Sequence, residues 1–144
     1  MPTCSAHRRR LPPPIRSREG AVAALKLATD DGRDDVVALA CLDRARRPLT
    51  MFVVEGCAAT VDDVLVALGV LLDAIEGAAT PLDAVILAAS RPGGPAGATP
   101  DDVRGWTVFR NRCIEAGVEL LEFFILADGV VDAVSEHLGE AARW

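Results

Sequence analysis

The sequence predicts one α/β domain in which a mixed β-sheet is flanked by helices. Three observations carry this expectation. Two uninterrupted apolar runs, "DVVALACLD" (35–43) and "LDAVILAAS" (82–90), have the composition of strands buried on both faces. Two T-x-x-D signals, Thr60 with Asp63 and Thr99 with Asp102, stand directly before helix-length segments. Strand and helix segments alternate along 144 residues, a length that suits one core.

Taken in order, residues 1–14 are basic, proline-rich and aperiodic, and read as a disordered tail before a domain over 15–144. Ser17 caps a helix to about Thr29, whose apolar side is Val22, Leu25 and Leu27; Asp30-Asp31-Gly32 ends it. The run 35–43 and the run "LTMFVVEG" (49–56), joined by the turn "RARRP", form a hairpin. Thr60 opens a long helix, "VDDVLVALGVLLDAIEG", over 60–76. Residues 82–90 form the third strand, and Thr99 starts a helix that stops near Gly117. "VELLEFFILADG" (118–129) is the fourth strand; Asp128-Gly129 turns the chain into a short fifth, 130–134.

Composition narrows the function. The net charge is −6, with acidic residues at Asp30, Asp31, Asp34 and Asp35, which argues against a duplex-DNA binder. The basic exception is Arg8-Arg9-Arg10 in the tail. Cys4, Cys41, Cys57 and Cys113 are scattered with no C-x-x-C pair, as expected of small buried hydrophobes in a reducing compartment. No run of about 18 uncharged apolar residues is present, and no apolar run follows the N-terminal arginines, so the expectation is a cytoplasmic protein without a membrane span.

The glycine- and proline-rich loop between the third strand and its helix is where such folds keep chemistry. No lysine makes it a phosphate loop, and G-x-S-x-G is absent. The histidines are His7 and His137, and no spacing ties His137 to Cys57 or Cys113 as a catalytic pair.

"ASRPGGPAGATPDD" (89–102) resembles the loop H-x-H-P-S-G-D-P-x-P-S-x-x-D of the RadC-like branch of the JAB/MPN (JAMM) domains. Pro92, Gly94, Thr99 and Asp102 match in register, with ten residues between Arg91 and Asp102. "GVELLEFFILADG" is similar to the family's following strand, and "IRSREGAVAAL" to its opening; the likeness spans about residues 15–138. It implies a cytidine-deaminase-like architecture and, in active members, a Zn²⁺ held by two histidines and an aspartate, with a glutamate on the earlier hairpin as general base.

Here Ala89 and Arg91 stand at the histidine positions and Met51 near the glutamate; Glu55 shares its side-chain parity. Glu122 stands where the family has a supporting aspartate. The degenerate positions are thus Met51, Ala89, Arg91 and Asp102, with no metal, no cofactor and no catalytic residue expected. Asp102 doubles as the N3 carboxylate of its helix, and Arg91 could pair with it as a solvated surface pair. The Ser90–Ala98 loop, unpinned by metal, is expected to be mobile or held only by its neighbours.

These readings converge on a non-catalytic scaffold or protein-interaction module. The alternatives are a hydrolase with a shifted site using Asp102, Glu55 and Cys57 or His137, and a DNA-repair role implied by the RadC-like name. The 60–76 helix is apolar on most faces, which predicts a homodimer or a protein partner through it, with Leu68 and Leu72 as contacts. The C-terminal segment ending in Trp144 is expected to cover part of that helix.

Overall fold

The computed structural model describes residues 13–29, 34–76, 81–140 and 142–144. The chain runs α1 (Arg18–Ala28), β1 (Val36–Leu42), β2 (Pro48–Val54), α2 (Val61–Ile75), β3 (Ala84–Ser90), α3 (Pro100–Glu115), β4 (Glu119–Ala127) and β5 (Val130–Ala133), then a 3-10 helix, Val134–Leu138. This is the element order read from sequence, with boundaries within about two residues. The tail lies outside the described residues except for Pro13 and Pro14, as do Cys4, His7, Asp30 and Asp31. No helix among the described residues is long and apolar enough to cross a membrane.

The five strands lie in the order β2-β1-β3-β4-β5. Only β3 and β4 are parallel; the other neighbours are antiparallel, including the β1–β2 hairpin. Every residue of β1 and β3 is buried, as continuous apolar runs require. Alternation sends their side chains to two separate cores. Val37, Leu39, Cys41, Val85, Leu87 and Ala89 face α2 and α3. Ala38, Ala40, Ala84 and Ala88 face α1, and their small side chains give that helix a shallow bed in which Ala21 and Leu25 are fully buried.

Both T-x-x-D signals are complete capping boxes: the threonine accepts from the N3 amide and the N3 aspartate accepts from the cap amide. Burial pushes the Cys41 thiol up to about 11 and the Cys113 thiol up to about 12, which leaves both as inert core atoms.

Two expectations fail on which face is covered. Leu68 and Leu72 of α2 are core residues, while Val66 and Val70 are exposed. Trp144 does not reach α2; it stacks on Phe124, 6.4 Å between ring centroids, in the core beneath α1. The 3-10 helix after β5 packs against α3, where Glu140 accepts from Trp106 and Arg110, and the chain end reaches the α1 face; α2 keeps its outer side open to solvent.

The starts of α2 and α3 come close at Gly105, where an added Cβ would lie 2.8 Å from Val61 Cγ1. Gly105→Ala gains about 1 kcal/mol of helix propensity but forces a stiff valine aside, an overpacking loss of roughly 1–3 kcal/mol. The expected net result is a destabilised protein by denaturant titration. In a Val61→Ala background the same change should become stabilising.

Candidate functional site

Arg91 is the first residue after β3, and its amide is held by Leu126 O of β4 at 2.8 Å. Its guanidinium makes a two-pronged bond to Asp102, with Nη1 donating to Oδ2 and Nη2 to Oδ1, both at 2.8 Å. Its Nε donates to Ala59 O, also at 2.8 Å. One planar cation therefore ties the end of β3, the entry to α2 and the first turn of α3. Ala59 is fully buried and sits at φ 50°, a left-handed conformation that an alanine adopts only when its surroundings hold it there.

Asp102 is 1% exposed, and Arg91's side chain 12%. Burial alone would raise the Asp102 pKa. The Arg91 hydrogen bonds, the Thr99 amide and hydroxyl, and the Arg91 charge outweigh it, so the carboxyl lies below its ordinary value. This is a largely desolvated pair, in contrast to the solvated surface pair read from sequence. The glycine-rich loop looked exposed, but the carboxylate it meets is covered by α3 and the guanidinium itself.

The loop is also held at a distance in sequence. Asp128 accepts from Gly93 N at 3.1 and 3.2 Å, and Asp132 Oδ2 accepts from Ala98 N at 2.7 Å. His137 Nε2 lies 2.7 Å from the same Asp132 oxygen. Gly97, at φ 102°, lets the backbone approach; a Cβ there would lie 3.0 Å from Asp132 Oδ2. The expectation that only neighbours hold Ser90–Ala98 is therefore corrected: residues of the β4–β5 hairpin anchor it. Sequence reasoning missed both aspartates because their partners are backbone amides some 35 residues away.

The degenerate positions do not all meet. Ala89 lies in the core on the α2/α3 face, the face that carries the Arg91–Asp102 pair. Met51 does not join them. It pairs with Ala40 and packs in the α1-side core, because alternation gives Phe52 and Val54 the α2 face. Glu55 is exposed just beyond β2. The implied zinc does not fit these residues: Ala89 offers a methyl group, Arg91 a permanent cation, and both Asp102 oxygens are engaged.

The shifted-site residues are also dispersed. Cys57 lines the apolar side of α2 near edge strand β2, whereas His137 follows β5 at the opposite edge of the sheet. Four strand spacings of about 4.8 Å separate those edges.

Glu122 belongs to neither group. The β3–β4 register slips between Val85 and Ile86, skipping Leu121 and setting Glu122 opposite Ile86 on the α1 side. It is 2% exposed, accepts from the amides of Phe123 and Ser135 at 3.0 Å, and meets the Ser135 hydroxyl. Burial pushes its pKa up, and the Ser135 and Phe123 hydrogen bonds only partly offset this; the nearby Glu136 charge adds to the rise. It braces the 3-10 helix against β4, far from the Asp102 carboxylate in both face and function. A comparison with protein-family models and with curated proteins finds no match, so the RadC-like resemblance rests on the loop and strand residues themselves.

Two predictions follow from these carboxyls. Arg91→Ala strands a buried carboxylate and should cost about 3–5 kcal/mol in urea or guanidinium titration. The double change Arg91→Met/Asp102→Asn removes the charge, keeps an acceptor for the Thr99 amide, and should recover more than half of that loss. A loss under about 1 kcal/mol for Arg91→Ala would make the pair an ordinary surface one.

For Glu122 the folded pKa is raised, so its stabilising contribution is full below the ordinary glutamate value and is lost as pH rises through the folded value. Glu122→Gln keeps an acceptor for both amides and a donor for Ser135. It should match or exceed wild-type stability at pH near 8, and lose that advantage on acidification to about pH 4, near the unperturbed glutamate value. Unfolding midpoints of the two proteins across that range measure the difference; a variant less stable at the alkaline end would contradict the assignment.

Proposed function

We propose that this domain is a non-catalytic, JAB/MPN-like scaffold that works by binding protein, and that Arg91 has taken the mechanical place of a metal ion. The observation that carries the reading is the three-way Arg91 clasp to Asp102 and Ala59. In the family that the loop resembles, a cation at this place joins the strand end to the helix start. A guanidinium joins the same two elements here, but it has no open coordination position at which to activate water. The outer side of α2 supplies the other half of the reading, since Val66 and Val70 are each 66% exposed. Paired apolar side chains one helical turn apart are suited to a protein contact.

The test is zinc, read in both directions. Protein purified without added metal should carry far less than one zinc per chain, and added zinc should leave its melting temperature unchanged. Ala89→His/Arg91→His should then create a zinc site with Asp102, seen as zinc competition against a colorimetric chelator and abolished by Asp102→Asn. Stoichiometric zinc in the wild type, released by Asp102→Asn, would overturn the scaffold reading. A double-histidine variant that folds and ignores zinc would remove the register on which the resemblance stands.

A further inference from the structure

Strand β2 is the first strand of the sheet, and among the described residues nothing pairs with its outer edge. It is seven residues long, "PLTMFVV", with no charged side chain. Edge strands are usually blunted by lysines, inward charges, shortness or proline. Here Pro48 occupies only the first position, and the one irregularity against β1 lies between Cys41 and Leu42, at the same end. Thr50 to Val54 are left as a regular, uncharged edge. The opposite edge is managed differently: β5 has four residues, and one of them is Asp132.

The apolar surface continues from the strand onto the helix. Phe52 and Val54 are 46% and 39% exposed, and with Val66, Ala67, Val70 and Cys57 they line a groove of about 340 Å³ between β2 and α2. Its rim carries the information about its occupant. Arg47 is exposed immediately before β2, with Arg44 behind it, and Glu55 is exposed immediately after, with Asp62 and Asp63 following at the start of α2. The strand is thus basic at one end and acidic at the other.

We infer that β2 pairs antiparallel with β2 of a second copy of this chain, about a two-fold axis perpendicular to the sheet near the middle of the strand. The inference rests on the reading of the domain as a protein-binding module. Antiparallel self-pairing brings the Arg47 end of each strand to the Glu55 end of the other, twice over. Parallel pairing would set like charges together. Residues opposite one another near the axis come from Thr50, Met51, Phe52 and Val53, so no charge is buried by either in-register arrangement. An antiparallel pair keeps the sheet faces matched, so both α2 helices lie on one side. Phe52 from each copy then fills the space between them, and Val66 and Val70 lose their solvent exposure. The interface is isologous and closes at two, giving a ten-stranded sheet with no growing end.

Sedimentation equilibrium of the full chain across a wide concentration range tests this. A dimer is expected. Phe52→Lys should make it monomeric with unchanged far-ultraviolet circular dichroism. Arg47→Glu and Glu55→Arg should each weaken the dimer several-fold, more strongly at low salt, and Arg47→Glu/Glu55→Arg should restore it, because each reversed charge again meets its opposite across the axis. A monomer at every concentration, a dimer indifferent to Phe52→Lys, or charge reversals whose losses simply add would overturn the inference. Those results leave the scaffold reading standing, since it is tested by zinc; wild-type zinc binding would fell that reading without altering the dimer measurement.

Discussion

The structure depends on one desolvated cation. Arg91 satisfies a buried carboxylate, a buried backbone carbonyl and, through its own amide, the adjoining strand. Remove the guanidinium and two buried groups, the Asp102 carboxylate and the Ala59 carbonyl, lose a partner at once. The arrangement is economical because Asp102 already has a local duty. Its Oδ2 accepts from the Thr99 amide and hydroxyl as the N3 member of a capping box. The capping geometry orients the carboxylate before Arg91 arrives, so the long-range pair adds to a conformation that the local sequence prefers.

The local half of this was legible in the sequence and the long-range half was not. T-x-x-D spacing and strand-length apolar runs declare themselves within ten residues, and every helix and strand appears where those patterns place it. Arg91 facing Asp102 follows only from the resemblance of its loop. Its burial does not, because a loop of glycine and proline reads as exposed until the helix that covers it is in place. Asp128 and Asp132 belong to a hairpin that the Asp128-Gly129 turn signal declares, yet nothing near them names Gly93 or Ala98 as their partners. Met51 shows the sharpest limit. "LTMFVVE" is apolar at almost every position, so the period-two signal that would say which side faces the helices is missing. Only pairing with β1 decides it.

The two apolar helix faces of α2 illustrate the same limit in energetic terms. A segment with valine or leucine on most sides demands burial on most sides. The sheet takes Val64, Leu68, Leu71 and Leu72. The C-terminal residues were free to take the rest, but Phe124 on the opposite sheet face offered Trp144 a parallel aromatic surface. Trp144 is held on that face, and Val66 and Val70 stay exposed.

The clasp and the open groove are mechanically connected. Residues 55–60 carry the chain from the edge strand β2 into α2, and Ala59 in that connection is the residue whose carbonyl Arg91 holds. The same guanidinium that secures α3 thus also holds the segment that enters α2. Gly105 admits Val61 at that point, where the first turn of α2 seats against α3. A metal ion in this position would make the groove's geometry depend on metal supply and on the protonation of histidines. An arginine stays charged across the physiological range, and its partner carboxyl is held below its ordinary pKa. On the proposed reading, this clasp holds the connection beside the sheet edge in one arrangement at every pH the cell presents, a property that suits a binding domain.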